Sequence, residues 1–173
     1  RSHVTSPRRG NSGVWDRLEK QVKLELAQLH RLLESHLPLV EQTRAEPPNA
    51  IGLSALAAML HSFYNGVENI LKRIAVELDG GLPGSETWHR RLLNSMTAPG
   101  DTRSPVISVA LRDKLCKYLD FRHFFRHAYT FDLRWGKMER LVRDAEGTLE
   151  DFEAQLAAFF NAAGGGREGT ASF

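Results

Sequence analysis

Cysteine is almost absent from this chain of 173 residues, which contains only Cys116. A single cysteine excludes an internal disulfide, so the chain is not expected to be a disulfide-stabilised secreted domain. Long apolar runs are missing too: none approaches the roughly 18 residues that a membrane span needs, and the amino end shows no signal-peptide pattern. We therefore expect a cytoplasmic protein that does not insert into a membrane.

Strand patterns are a further absence, because no alternation of apolar and polar residues is long enough to predict one. Apolar residues recur instead at spacings of three and four, which predicts amphipathic helices. The predicted fold class is all-α, an antiparallel bundle of four long helices plus a short extra helix. We expect a flexible leader over residues 1–13, a helical domain over 14–160 and a flexible, glycine-rich tail over 161–173.

Turn and capping residues predict where the first two helices begin and end. The first helix begins near Val14, and Pro38 is expected to kink it or end it early. The Pro-Pro pair at 47–48 then forces a break. The second helix follows Asn49, a suitable N-cap, and stops at Asp79 and the two glycines after it.

The later helices are predicted in the same way. A short helix over residues 86–96 follows Ser85 as its cap. Ser104 and the proline after it predict the start of the third long helix, which runs through Tyr129. Asp132 is expected to cap the fourth long helix, and Gly164 begins the glycine run that ends it.

Charge is unevenly distributed along the chain, although the net charge is only +2. Between Arg112 and Arg143 there are nine basic and four acidic residues, whereas Asp144 to Phe160 holds five acids and no base. A local excess of positive charge is typical of a site that binds a polyanion. Solvated helix faces of opposite sign are the simpler interpretation.

The segment from Phe121 to Phe131 holds the densest group of functional side chains. It places two arginines, two histidines and a tyrosine among four phenylalanines. Arg122 lies where the apolar stripe of the third long helix requires its next buried residue. Because a guanidinium stays charged, this position needs an anion, either a carboxylate of another helix or an incoming phosphate. Glu68 and Asn69, beside the stripe of the second helix, are candidates to meet it.

Arginine and histidine together can cleave RNA without a metal ion. His127 is suited to moving a proton to or from the ribose 2′-hydroxyl and the leaving oxygen, and Arg122 to holding the phosphate. One histidine does not readily make both proton transfers, so we expect two copies to meet across a two-fold axis. On a helix, Tyr129 returns to within about 20° of Arg122, whereas His127 lies about 140° around.

The Arg-x4-His spacing is weakly specific by itself, since Arg31 and His36 repeat it on the first helix. The fuller pattern Arg-x4-His-x-Tyr occurs once, at Arg122, His127 and Tyr129. With the all-helical pattern and the stretch over residues 61–73, it resembles the signature of HepT-like ribonuclease toxins of the HEPN superfamily.

The resemblance implies a function as well as a HEPN-type bundle. It implies the toxin of a HEPN/MNT-type toxin–antitoxin pair, a homodimeric, metal-independent endoribonuclease that needs no cofactor. Arg122 and His127 would be catalytic, with His123 and Arg126 as auxiliary or RNA-binding groups. The implied partner besides RNA is an MntA-like nucleotidyltransferase antitoxin, which would silence the toxin by adding AMP to Tyr129.

Three other interpretations remain open. His123 and His127 have the i, i+4 spacing of a zinc site, although no further cysteine or histidine nearby completes a ligand set. A non-catalytic HEPN module could use the same arginine and tyrosine to bind a nucleotide or to dock a partner. Finally, the phenylalanines could simply be core, with His127 a buried histidine whose hydrogen bonds are satisfied.

Overall fold

The computed structural model describes residues 11–168 of the chain, with side chains described from 12 to 164. The chain forms five α-helices in this range and no strand. They are α1 (Asn11–Gln42), α2 (Ala50–Leu78), α3 (Trp88–Ser95), α4 (Val109–His127) and α5 (Trp135–Glu168), with a 3-10 turn at Thr130–Asp132 between the last two. The predicted all-α fold of four long helices and one short helix is confirmed.

Helix α2 is the centre of the bundle, because it packs against each of the other four helices. Its buried face includes Leu56, Leu60, Phe63, Val67, Ile70 and Ile74. By length and composition α2 could cross a membrane, but half of its most apolar window is buried inside the bundle, as in the core helix of a globular protein.

The predicted ends of α2 are confirmed by its capping bonds. The side chain of Asn49 accepts a hydrogen bond of 2.8 Å from the backbone N–H of Gly52. At the other end the helix stops at Leu78, where the N–H of Asp79 donates to the carbonyl of Ala75. Local sequence therefore determines both ends of this helix.

Helix α1 extends further in both directions than its sequence predicts. It begins at Asn11, so residues 11–13 of the predicted leader are helical; residues 1–10 lie outside the described range. It also continues past Pro38 to Gln42. Pro38 and Glu34, whose carbonyl loses its usual helical donor, are both exposed, so water can replace the missing bond. Leu37, the residue before Pro38, is exposed as well.

The predicted start of the third long helix at Ser104 is wrong, since α4 begins at Val109 behind the N-cap Ser108. The intervening residues Val106 and Ile107 are buried, and their N–H groups donate to the carbonyl of Met96. Tertiary packing thus overrides the local helix-start signal. The short helix is α3, and its N-cap is Thr87 rather than Ser85.

An ion pair between the buried Arg103 and the exposed Asp79 fastens the long connection between α2 and α4. The guanidinium of Arg103 donates through Nε and Nη2 to the two carboxylate oxygens of Asp79, both at 2.8 Å. Its Nη1 donates to the carbonyl of Ala98 at 3.0 Å. Such a forked pair fixes direction as well as distance, so the connection holds α3 in a defined place.

Helix α4 ends at His127, two residues earlier than predicted. Ala128 and Tyr129 are extended, and the chain then makes the 3-10 turn. Asp132 caps this turn and not α5, because its carboxylate accepts the backbone N–H of Tyr129 at 3.0 Å. Helix α5 starts at Trp135 and continues to Glu168, past the glycines expected to end it; residues 169–173 of the predicted tail lie outside the described range.

Candidate functional site

Arg122 is buried between α4, α2 and α3, with 5% of its surface exposed. Its Nη1 donates to Oδ1 of Asn65 at 2.8 Å and to Oε1 of Glu68 at 3.0 Å. Its Nη2 lies 3.3 Å from the other oxygen of Glu68 and 2.8 Å from Nδ1 of His89. The guanidinium also stacks on the ring of Tyr64, 5.0 Å from the centroid. A carboxylate therefore balances the arginine inside the chain. We call Arg122, Glu68, Asn65 and His89 the polar network.

His89 lies between two possible hydrogen-bond partners in this network, a carboxylate and a guanidinium. Its Nδ1 lies 2.8 Å from Oε2 of Glu68 and 2.8 Å from Nη2 of Arg122. Without a proton Nδ1 accepts from the arginine, and with a proton it donates to the carboxylate, but it cannot do both at once. Whether Nδ1 of His89 carries a proton, as it does in one of the two neutral tautomers, therefore decides which neighbour it binds.

Sequence reasoning identified only part of this network. Glu68 meets Arg122 as expected, but Asn69 does not, since its amide lies 3.4 Å from Glu25 on α1. Asn65, one turn before Glu68 on the same face of α2, takes that place. The sequence analysis did not identify His89, because α3 is too short to show a periodic pattern. Only the tertiary fold brings this helix to the site.

His127 lies on the solvent-facing side of α4, with His123 one turn before it. Both are exposed, and their rings are 5.3 Å apart in an edge-to-face arrangement. Arg122 points inward and His127 outward, as expected from their separation of about 140° around the helix. The two predicted catalytic groups are thus not in contact within one chain, and His127 is not a buried core histidine.

Arg126 and His123 share a cavity with the polar network. A cavity of about 250 Å³ between α3 and α4 is lined by residues that include His89, Arg122, His123 and Arg126. Arg126 is exposed and makes no ion pair within the described part of the chain, so its positive charge is free to meet an anion. The site therefore holds a free arginine beside a neutralised one.

The two arginines also affect a neighbouring histidine. His61 on α2 packs against the ring of Phe125, 5.2 Å between centroids. Burial lowers the pKa of His61 below its usual value, and the charges of Arg122 and Arg126 lower it further. The positive charges of these two arginines on α4 therefore act on a side chain of α2.

Tyr129 is separate from Arg122. It is 71% exposed and stacks on Phe131 beyond the end of α4, with ring centroids 5.2 Å apart and planes 7° apart. The prediction that Tyr129 and Arg122 share a helix face is wrong, because the helix ends before Tyr129. Its distance from the arginine, however, leaves the phenol open to solvent.

The histidine pair does not extend to a metal site within residues 11–168. No group of three or more histidine, cysteine, aspartate or glutamate side chains there is arranged to hold a metal ion. Two imidazoles at i and i+4 provide only half of a tetrahedral zinc site.

The all-helical bundle of five helices is consistent with the fold of a HEPN-superfamily protein. The family model described as "HepT-like protein" matches residues 55–163, more than half of the chain. The chain therefore belongs to the HepT-like family, whose members are toxin-like. Neither the curated proteins nor the solved structures that were searched gave a match.

Proposed function

We propose that this chain is the toxin of a HEPN/MNT-type pair, a cytoplasmic, metal-independent endoribonuclease whose cleft is completed by a second copy. The observation that carries the proposal is the exposed imidazole of His127 at the end of α4, directly after Arg126, which makes no ion pair among the described residues. An imidazole with access to solvent can exchange protons near neutral pH.

The proposed chemistry is attack by a ribose 2′-oxygen on the neighbouring phosphorus. One His127 takes the proton of the 2′-hydroxyl as the new P–O2′ bond forms. The P–O5′ bond breaks, and the second copy's imidazole gives a proton to the leaving 5′-oxygen. The products are a 2′,3′-cyclic phosphate and a 5′-hydroxyl, with no water or metal consumed. Two imidazoles in opposite protonation states are needed, which is why the proposal includes a homodimer.

Positive charge would stabilise the phosphate as negative charge builds up on its oxygens. Arg126 is available for this without any rearrangement, since it has no counter-ion within the described residues. Arg122 also lines the cavity, and its Nη2 is held there by His89. In this proposal Arg122 reaches a phosphate when Nδ1 of His89 carries a proton and donates to Glu68, which ends the hydrogen bond that Nη2 of the arginine gives to His89. His123 assists as an auxiliary group.

The test is cleavage of RNA by purified protein in excess EDTA. Wild type is expected to cleave, and His127→Ala is expected to lose cleavage while keeping the helical content measured by circular dichroism. The chain supplies a matched control in its second Arg-x4-His pattern: His36→Ala should cleave like wild type. If His127→Ala cleaves RNA as fast as wild type does, the chemistry takes place at other residues.

Tyr129 is the proposed site of silencing by an MntA-like nucleotidyltransferase. The chain has three tyrosines, and the other two, Tyr64 and Tyr118, are buried. In the proposed reaction the phenol oxygen of Tyr129 attacks the α-phosphate of ATP, pyrophosphate leaves, and the phenol proton passes to solvent. Intact mass after co-expression should show added AMP in wild type and none in Tyr129→Phe. AMP retained by the variant would identify a different acceptor.

The second candidate is a non-catalytic HEPN module that binds a nucleotide or docks a partner. The observation in its favour is that Glu68 already balances the charge of Arg122. This module would bind RNA or nucleotide without cutting it. Unmodified wild-type protein that binds RNA but leaves it intact in the cleavage assay would establish this alternative.

A further inference from the structure

A groove of about 700 Å³ runs between α4 and the start of α5, and the proposed chemistry does not use it. We propose that this α4–α5 groove binds single-stranded RNA, stacking a base on Phe124 and holding phosphates with Lys117 and Lys137. The inference rests on the proposed function for its substrate class, and the experiment below separates the failure of one from the failure of the other.

The floor of the groove is apolar and aromatic. Phe121 is buried there, and the ring of Phe124, 6.3 Å from it between centroids, is 46% exposed. Met138 and Leu141 complete the apolar lining from α5. An exposed aromatic ring over an apolar floor is suited to stacking with a nucleobase, since every base has a flat face and none needs a specific hydrogen-bond partner.

The rim of the groove is positively charged. Four basic side chains line it, namely Lys117, Arg134, Lys137 and Arg140. Arg140 pairs with Asp144 one turn further along α5. Of the two acids that line the groove, Asp120 pairs with Arg90 across to α3, and Asp132 accepts the N–H of Tyr129.

Lys117 and Lys137 make no ion pair among the described residues, so their charges are free to meet phosphates. Positive charge beside an aromatic platform is the usual arrangement for binding single strands.

The groove is also in the right place for the proposed chemistry. Phe124 precedes His127 by three residues, so the two side chains are neighbours on the surface of α4. A strand lying in the groove with one base on Phe124 would pass close to the imidazole. The groove would therefore position the RNA, while His127 acts on it.

The experiment measures binding of a fluorescent 2′-O-methyl oligouridylate by anisotropy, in EDTA and at several salt concentrations. This probe lacks the free 2′-hydroxyl, so wild-type protein cannot cut it by the proposed route. Phe124→Ala should raise Kd roughly 5- to 150-fold, the range found for loss of one stacked base. Leu24→Ala, which removes an exposed apolar side chain on α1, is the matched control and should leave Kd unchanged.

The lysines are tested through the salt dependence. The double variant Lys117→Ala/Lys137→Ala should lower the slope of log Kd against log salt concentration by about 1.4, because each lost phosphate contact on a single strand contributes about 0.7. Lys114→Ala removes an exposed lysine of α4 outside the groove and is the control. A duplex of the same length should bind independently of Phe124, since its bases are already stacked.

Each result bears on one proposal. Unchanged Kd and salt slope in the groove variants would overturn the inference, and a change in molecular mass by light scattering without a change in Kd would show a contact between copies instead. Groove-dependent binding by unmodified wild-type protein that cuts no RNA would support the inference and refute the ribonuclease. Conversely, if wild type cleaves RNA and the groove variants bind the probe as tightly as wild type does, the ribonuclease is supported and the inference is refuted.

Discussion

Removing Glu68 tests whether the polar network stabilises the fold. The side chains of Glu68 and Arg122 are each 6% exposed, so Glu68→Ala leaves a guanidinium in the bundle without its counter-ion. Breaking a buried pair in this way costs about 3–5 kcal/mol. Since a domain of this size is stable by about 5–15 kcal/mol, the loss is a large part of the total.

A double variant distinguishes the loss of the whole ion pair from the loss of one partner. Replacing both partners by apolar residues, Glu68→Leu with Arg122→Met, leaves no unpaired charge and is often neutral or better. We therefore expect the double variant to be more stable than Glu68→Ala. Arg122→Met alone should cost less than Glu68→Ala, because protonated His89, 2.8 Å from Glu68, can take over as the partner.

The assay is urea unfolding followed by far-UV circular dichroism, at one fixed protein concentration in case copies associate. Glu68→Ala within about 1 kcal/mol of wild type would refute the reasoning, since Arg122 would then not depend on this carboxylate. A double variant no more stable than Glu68→Ala would refute it as well.

Three further substitutions are predicted from contacts elsewhere in the bundle. Arg103→Lys loses the forked pair with Asp79 and should lower the free energy of unfolding by about 1–3 kcal/mol, with faster hydrogen exchange in α3. Gly66→Ala should cost about 1–3 kcal/mol, because its new Cβ would lie 2.4 Å from Cδ2 of Leu29. The lowered pKa of His61 means that the unfolded chain binds this proton first, so stability should fall as the pH drops below about 6.5, and less so in His61→Gln.

Each of these three predictions has a control variant or an outcome that would contradict it. Gly147→Ala, in the interior of α5 with nothing within 4 Å of its new Cβ, should be stabilising by about 0.5–1 kcal/mol, opposite in sign to the change at Gly66. Normal protection of the α3 amides in Arg103→Lys would show that another contact holds the helix. An NMR titration that places the pKa of His61 at or above its usual value would contradict the expected pH dependence.

The fold was largely predictable because the signals in α2 and its neighbours are local. Apolar spacing of three and four gave the buried residues of α2, and Asn49 and Asp79 gave its ends. Prolines were less informative: Pro38 lies inside a helix, and Ser104 with its proline does not start one. In both cases packing or solvent exposure decided the outcome, and neither can be seen in a short stretch of sequence.

The site was predictable only in part, for a related reason. Arg122 was recognised because a charged residue interrupts an apolar stripe, and that signal is local. Tyr129 was misplaced because no glycine or proline marks the end of α4, so the helical spacing was extended too far. His89 was missed because its role depends on a distant ion pair, Arg103 with Asp79, which holds α3 close to Arg122.

In the proposed ribonuclease, the opposite settings of Arg122 and His127 determine how activity can be lost. A change at His127 affects an exposed imidazole and leaves the bundle intact, so it should yield an abundant, folded, silent protein. A change at Arg122 disturbs the contacts that join three helices, and its product should be scarce in the cell. Genetic selection for survivors of this protein's expression would therefore return two kinds of inactive allele, distinguishable simply by how much protein accumulates.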